Sequence, residues 1–367
     1  MYLKVSILLL FCIFQTKAVA QILQRDSTKK KEGIFILPLI YYTPDTRFAA
    51  GAMGVYYFRT GKNESDSLPI TRLSYIKLLA DYTQNRQLDI WSAWNIFTDK
   101  ERFLFKGDLR YRNFPDRFYG VGNNTLQSQV EFYSYDFVSA KFLALKNLGY
   151  QAFLGLDYQF SYQYNFKYDQ NSQLLKNGLV TGYNGGLASA FGLVFTFDTR
   201  DNVVNAHNGF LLEASSYFNK PVFGSDFSYN NINLTFNRYI SLKPNHVLAF
   251  NTVANFNTNG VPFIEMAKVG NDDILRGYAR NRFRDLNYIA SQAEYRFPLW
   301  KRVGGVLFAG AGDVFRTTSD LKWELLKYTY GGGLRFAINK AERLNVRFDY
   351  GFGRGDQSFY ITLTEAF

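Results

Sequence analysis

The sequence predicts an all-β chain, a 16-stranded antiparallel transmembrane β-barrel. Three observations lead there. Side-chain character alternates with a period of two over stretches of about ten residues and more, the span a tilted strand needs to cross a bilayer. Aromatic residues make up 18% of the chain, with 36 Phe and 27 Tyr; a soluble domain that rich in rings needs an unusually large core, whereas a lipid-facing wall with aromatic girdles takes them directly. No stretch after the N-terminus has 18 consecutive apolar residues, so the sequence offers no transmembrane helix.

Residues 1–20 read as a secretory signal. Lys4 supplies the positive start, Val5 to Phe14 the apolar run and Ala18-Val19-Ala20 the small-residue cleavage site, leaving Gln21 as the first mature residue. The single cysteine, Cys12, falls inside this signal, so disulfides and thiolate metal sites are not expected in the mature chain. Residues 21–32 form a polar, basic linker without an apolar pattern.

From 33 to 367 the chain reads as strand after strand. Between 154 and 166, Leu154, Leu156, Tyr158, Phe160, Tyr162, Tyr164 and Phe166 share one face, while Gly155, Asp157, Gln159, Ser161, Gln163 and Asn165 share the other. Phe103, Phe105, Leu109 and Tyr111 likewise oppose Arg102, Lys106, Asp108, Arg110 and Arg112. Strands of a soluble sandwich run about 5–6 residues, which these alternations exceed. Sixteen strands are expected, the last near 358–367, and an even number places both ends on the periplasmic side. The longest connection without a strand pattern, 260–286, falls between the eleventh and twelfth and is expected to be the sixth extracellular loop, because the long loops of such barrels face outward and long loops tend to carry function.

The formal net charge is +11, but the basic residues are scattered along strands rather than clustered. That fits a barrel lumen and a rim facing outer-membrane lipid headgroups, and no nucleic-acid partner is expected. The two histidines, His207 and His246, lie near no second metal ligand at a recognised spacing, and there is no G-x-S-x-G elbow, H-E-x-x-H or phosphate-binding loop. No enzyme activity, cofactor or metal is therefore expected.

Four passages carry a family resemblance. Leu275-Arg276-Gly277-Tyr278, inside the long connection, resembles the V/I/L-R-G-F/Y motif of the BamA/TamA family, also called the bacterial surface antigen family. Eleven strands precede it and five follow, as that family's sixth loop requires. Phe197 to Phe210 (FDTRDNVVNAHNGF) resembles the family's D-T-R-D-N stretch between strands eight and nine. Arg117 to Thr125 (RFYGVGNNT) resembles its Y-G-x-G-N loop, and Phe359 to Phe367 (FYITLTEAF) resembles its closing strand, which also serves as the signal by which assembly machinery recognises barrel clients.

The resemblance implies a Gram-negative type outer membrane, and a sixth loop folded back into the lumen with its arginine on acidic residues of the twelfth and thirteenth strands. Periodicity supplies one of them. Ala290, Gln292, Glu294 and Arg296 share the lumen face, so Glu294 is the expected partner of Arg276, a directional carboxylate–guanidinium pair. The other acid is missing: the thirteenth strand has Phe308-Ala309-Gly310 where the family pattern places an acid two residues after the Phe. Asp313 has the opposite parity, and inward-facing Asp349 on the fifteenth strand is an alternative without further support in the sequence. A dozen linker residues are too few for a domain, so a barrel-only member lacking periplasmic domains is expected.

The resemblance also implies a seam between first and last strands that opens sideways. Pro38 lacks an N–H and is confined to edges or bulges, so it is expected either to weaken that seam or to mark a bulge in a closed barrel. Phe359 and Phe367 are expected on the other side of the seam. The function so implied is assistance to outer-membrane protein insertion or translocation, with unfolded outer-membrane proteins or assembly-machine subunits as partners. The alternatives are a structural barrel or small pore, and a docked subunit of a larger assembly machine.

Overall fold

Inside a bilayer every backbone N–H and C=O needs a partner, so a chain of alternating strands can cross only as a sheet that curls round on itself. The computed structural model describes residues 32–43, 47–60, 71, 74–170, 172–175, 177, 178, 180–340 and 343–367. The expected signal and all but Glu32 of the expected linker lie outside the described residues.

The strands are β1 (Glu32–Thr43), β2 (Arg47–Phe58), β3 (Ser74–Thr83), β4 (Leu88–Phe97), β5 (Phe103–Phe118), β6 (Glu131–Gly149), β7 (Ala152–Tyr168), β8 (Gly186–Asp198) and β9 (Gly209–Asn219). Then follow β10 (Tyr229–Lys243), β11 (His246–Asn257), β12 (Ala267–Val269), β13 (Phe283–Asp285), β14 (Asn287–Trp300), β15 (Val303–Phe315), β16 (Lys327–Asn339), β17 (Leu344–Gly353) and β18 (Asp356–Leu363). Sixteen of them form one antiparallel sheet in chain order, with β11 pairing β14. The short β12 and β13 form a separate two-stranded ribbon inside the long connection, where the sequence pattern shows no strand.

Alternation sorts the two faces as expected. On β7, Leu154, Leu156 and Tyr162 are exposed on the lipid side, while Phe153, Asp157 and Gln163 are buried toward the lumen. On β14, Ile289 faces outward and Gln292, Glu294 and Arg296 are buried. Two-residue turns at Tyr150–Gln151, Pro244–Asn245 and Lys301–Arg302 mark one end of the barrel. The other end carries the long connections, and short turns face the periplasm in barrels of this kind. At the extracellular end Phe118, Tyr133, Leu175, Tyr229 and Phe263 from four connections and their flanking strands pack into an apolar dome.

Hydrogen-bonded closure stops at one place. β1 and β18 approach within 8 Å, yet among the described residues no ladder joins them. Pro38 is not at a bulge, because the β1–β2 register runs unbroken from Glu32↔Phe58 through Pro38↔Ala52 to Thr43↔Arg47. The last strand is shorter than the expected 358–367. It ends at Leu363, and Thr364 adopts a left-handed conformation (φ 69°) that turns the final residues off the sheet.

The two faces should respond differently to charge. Leu193→Arg, in the middle of the lipid face of β8, is expected to cost about 2–4 kcal/mol, and lumen-facing Gln159→Arg on the neighbouring β7 less than about 1 kcal/mol. Urea unfolding of the protein in lipid vesicles checks the difference, and equal costs would contradict the assignment of faces.

Candidate functional site

The lumen side of β14–β18 holds the densest cluster of buried charge among the described residues, and the Arg276 segment enters it from above. The segment hangs between β12 and β13 and passes through left-handed conformations at Gly270 (φ 97°), Leu275 (φ 52°) and Gly277 (φ 121°). Gly277 is needed twice over. It tolerates the positive φ, and a Cβ there would stand 2.6 Å from the backbone carbon of Phe352. The contact is reciprocal, since a Cβ on Gly351 would stand 2.7 Å from the Arg276 carbonyl oxygen. The loop backbone thus lies flush on the backbone of β17.

Around that contact the loop is tied to the last hairpin. The Gly277 N–H donates to the Tyr360 hydroxyl (3.0 Å), which donates to the Tyr278 carbonyl (3.2 Å). The Ala279 N–H donates to Asp356 (2.9 Å), and the Arg354 N–H to the Tyr278 hydroxyl (3.0 Å). Leu275 and the Tyr278 ring pack with Val253, Val269, Phe283, Ala290 and Val314.

Arg276 itself is fully buried. Its Nη2 lies 2.5 Å from Glu294 Oε1, an ion contact off the hydrogen-bond line. Its Nη1 donates to Asp349 Oδ2 at 2.6 Å, and the guanidinium sits 3.7 Å from the Phe308 ring centroid, a cation–π contact. Asp349, the alternative acid in the sequence, thus takes the second side of the guanidinium. Asp313 goes elsewhere and pairs with Lys327 (3.2 Å).

Three further arginines complete the cluster. Arg296 binds Glu294 (2.8 Å). Arg335 binds both Asp349 (2.5 Å) and Glu365 (2.6 Å). Arg347 reaches Asp273 (3.3 Å), Asp272 (3.4 Å) and the Thr362 hydroxyl (2.7 Å). Glu365 belongs to the segment after β18. Sequence alternation reads it as an interruption of a lipid-facing strand; the structure turns it inward. Phe367, expected at the seam, is inside the lumen. Its ring centroid is 6.5 Å from that of Tyr239 and it lies over Arg296 (5.4 Å), while its carbonyl accepts from Arg296 Nη2 (3.0 Å). The reason for the correction is charge: Glu365 finds Arg335 and Asn345 (2.8 Å) only by leaving the sheet. Phe359 stays on β18, opposite Tyr350 and exposed on the lipid face.

The other family-like passages converge on the same two segments. In the turn after β8, Asp198 clamps Arg200 through both oxygens (2.8 and 2.9 Å). Asp201 takes the His207 and Asn208 N–H groups (2.9 and 3.1 Å) and pairs with Arg343 (2.7 Å). Asn205, from that turn, meets Glu365 and Arg296 (both 3.4 Å). Above, the Gly122 N–H bonds to the Arg284 carbonyl (2.8 Å), and Arg282 reaches the Thr125 hydroxyl (2.9 Å) and carbonyl (2.7 Å). Beside it, burial and the neighbouring Arg284 hold the Lys268 ammonium down to about 8. Nothing in this arrangement resembles a nucleophile and its base; its chemistry is that of a charged latch holding a loop and a tail.

The model of the Omp85 superfamily domain matches residues 70–367. Among solved structures, BamA from Haemophilus ducreyi lacking POTRA domains 1–3 is similar, with a TM-score of 0.61 and 12% identity over 92% of this chain and 70% of that chain. CdiB from Acinetobacter baumannii gives 0.57 and 10% over 91% and 60%, and CdiB from Escherichia coli 0.55 and 10% over 90% and 61%. The chain therefore spans about three-fifths of either CdiB. No curated protein sequence matches it.

Two substitutions should separate. Glu294→Gln leaves two buried guanidinium groups short of a carboxylate and is expected to cost about 3–5 kcal/mol. Arg276→Ala leaves Glu294 with Arg296 and Asp349 with Arg335, so its expected effect is local: faster protease cleavage within 270–282 and a smaller change in the unfolding midpoint. Limited proteolysis beside urea unfolding tests both. Glu365→Gln is expected to release the tail, raising the thiol-labelling rate of a cysteine placed at Ala366 by at least about tenfold if the tail loses about 1.4 kcal/mol of anchoring.

Proposed function

This chain belongs to the Omp85 superfamily and is an outer-membrane protein of the Gram-negative type, and from that premise we propose that it assists insertion of other β-barrel proteins through the seam between β1 and β18. Its family supports a role in outer-membrane protein insertion or translocation in general. One observation carries the finer reading: the two edge strands come within 8 Å, yet no ladder joins them among the described residues. An unpaired edge presents N–H and C=O groups that an incoming strand can bind by β-augmentation.

Three features support this reading. Pro38 removes one donor from β1 while the β1–β2 register stays intact. The tail after Leu363 occupies the lumen, so it does not extend β18 along the full length of β1. The Arg276 segment fills the lumen beside β14–β18, which counts against a simple conducting pore. The clients are unfolded outer-membrane proteins, whose first or last strand would pair at the seam.

Cysteine pairs placed across β1 and β18, scanned around Pro38 and Phe359, test the proposal in vesicles containing the purified protein. The unlocked protein should speed insertion of an unfolded barrel client, the oxidised pair should abolish the acceleration, and reduction should restore it. A disulfide that forms fully and leaves the acceleration untouched sinks the seam mechanism. Ion conductance with no acceleration at all supports a pore instead.

A further inference from the structure

We infer that the periplasmic rim at the β14–β15 turn is a binding site for an anionic glycerophospholipid of the inner leaflet. A cleft of about 440 Å³ lies there, lined by Trp300, Lys301, Arg302, Val303, Phe336 and Lys340. Its two halves differ in chemistry. Trp300, Val303 and Phe336 are cross-strand neighbours in register, Trp300↔Val303 and Val303↔Phe336, so they share one face. That face continues up the wall as Gly305, Leu307 and Leu334 by the same parity, and Leu307 and Leu334 are exposed to hydrocarbon. The apolar half thus opens onto the lipid side of the barrel rather than the lumen.

The polar half is cationic. Lys301 and Arg302 form the two-residue turn, and Lys340 follows β16. Among the described residues no salt bridge takes up any of these three charges. Arg302 is held in place because Nη1 donates to the carbonyls of Ala337 and Ile338 (both 3.1 Å), which leaves the rest of its fork for a ligand. Lys301 Nζ lies 4.7 Å from the Trp300 ring centroid. Trp300 is 67% exposed, and an indole at the headgroup level is where an amphipathic ring is most stable in a bilayer. A register shift between Pro298 and Trp300 swings this ring to the rim.

Three cations above a lipid-facing apolar floor match one occupant, a phosphodiester headgroup with its acyl chains running along Leu307 and Leu334. A free phosphate would use only the upper half. Scattered rim lysines attract anionic lipid through surface potential alone; here the fixed guanidinium and the cleft floor add a defined position.

The test uses the mature full-length protein in detergent, with native mass spectrometry reading retained lipid. Wild type is expected to retain phosphatidylglycerol in preference to phosphatidylcholine. The combined variant K301Q/R302Q/K340Q should lose at least about tenfold of that preference. Trp300→Ala should weaken both lipids. Lys146→Gln, which removes an exposed cation near another periplasmic turn, should change neither. Glycerol 3-phosphate, carrying the headgroup charge without acyl chains, should fail to displace the retained lipid. Equal preference in the combined variant and wild type, or an equal loss in Lys146→Gln, overturns the site in favour of diffuse rim electrostatics; displacement by glycerol 3-phosphate overturns the lipid assignment. Heat-modifiable gel mobility confirms that each variant is folded, and Lys340→Gln alone, an exposed side chain, provides a smaller loss of the same sign should the triple variant misfold.

Discussion

The constraint on which this barrel turns is the burial of one guanidinium. Arg276 is carried into the lumen on a loop and left with no contact to solvent. An unpaired ion there would cost several kcal/mol, so its surroundings must answer it from more than one side. Glu294 and Asp349 do so from β14 and β17, and Phe308 presents its ring from β15. Neither acid belongs to Arg276 alone, since Arg296 shares the first and Arg335 the second. Four buried arginines meet three buried carboxylates, and Arg347 turns to two half-exposed acids of the loop, Asp272 and Asp273. The loop that brings the arginine therefore also brings acids to the cluster.

This sharing connects parts of the chain far apart in sequence. Loop, tail and the turn after β8 all touch one charge cluster, through Arg276, Glu365 and Asn205. The backbone contact of Gly277 with β17 fixes the loop to the last hairpin. The position of the loop and the state of the final strand are thereby set by the same few residues. Each carboxylate is shared by two arginines, so loss of Arg276 leaves every one of them with a partner, whereas loss of a carboxylate strands two guanidinium groups.

Much of this was legible from alternation alone. Period two sorts lipid from lumen, so Glu294 could be placed inward and matched to Arg276 before any coordinates. Parity gives a direction but not a distance, and it says nothing about which inward groups meet across a lumen. That is why Asp349 was only one candidate and why Arg296, Arg335 and Arg347 went unnoticed as a group, although all three sit at inward positions. Asp349, which takes the second side of Arg276, lies two strands away from Gly310, beyond the reach of any local pattern. The ribbon of β12 and β13 was missed because three residues are too few to show a period. Glu365 broke the alternation of the closing strand, and that break was the one available sign that the strand stops at Leu363. The passages 117–125 and 197–210 were recognised by resemblance, but their shared purpose, bracing the loop from above and the tail from below, is visible only in three dimensions.

The end of β18 can be understood as a competition. Extended as a strand, Glu365 would take the parity of Phe359 and Ile361, both exposed to lipid. That placement is unfavourable but not prohibitively so, since a charged side chain near the interface costs only about 0–1 kcal/mol and acids less than bases. Avoidance of lipid cannot by itself bend the chain inward, least of all against a non-glycine residue in the left-handed region at Thr364, which costs about 1–2 kcal/mol. The decisive term is what the tail gains inside: Glu365 on Arg335 and Asn345, and Phe367 in a pocket made with Tyr239, Val247 and Ala249. A charge-assisted hydrogen bond contributes roughly 1.5–3 kcal/mol, and burial of a large aromatic ring about as much again. Those gains exceed the strain. The early end of β18 is thus a consequence of the buried charge cluster.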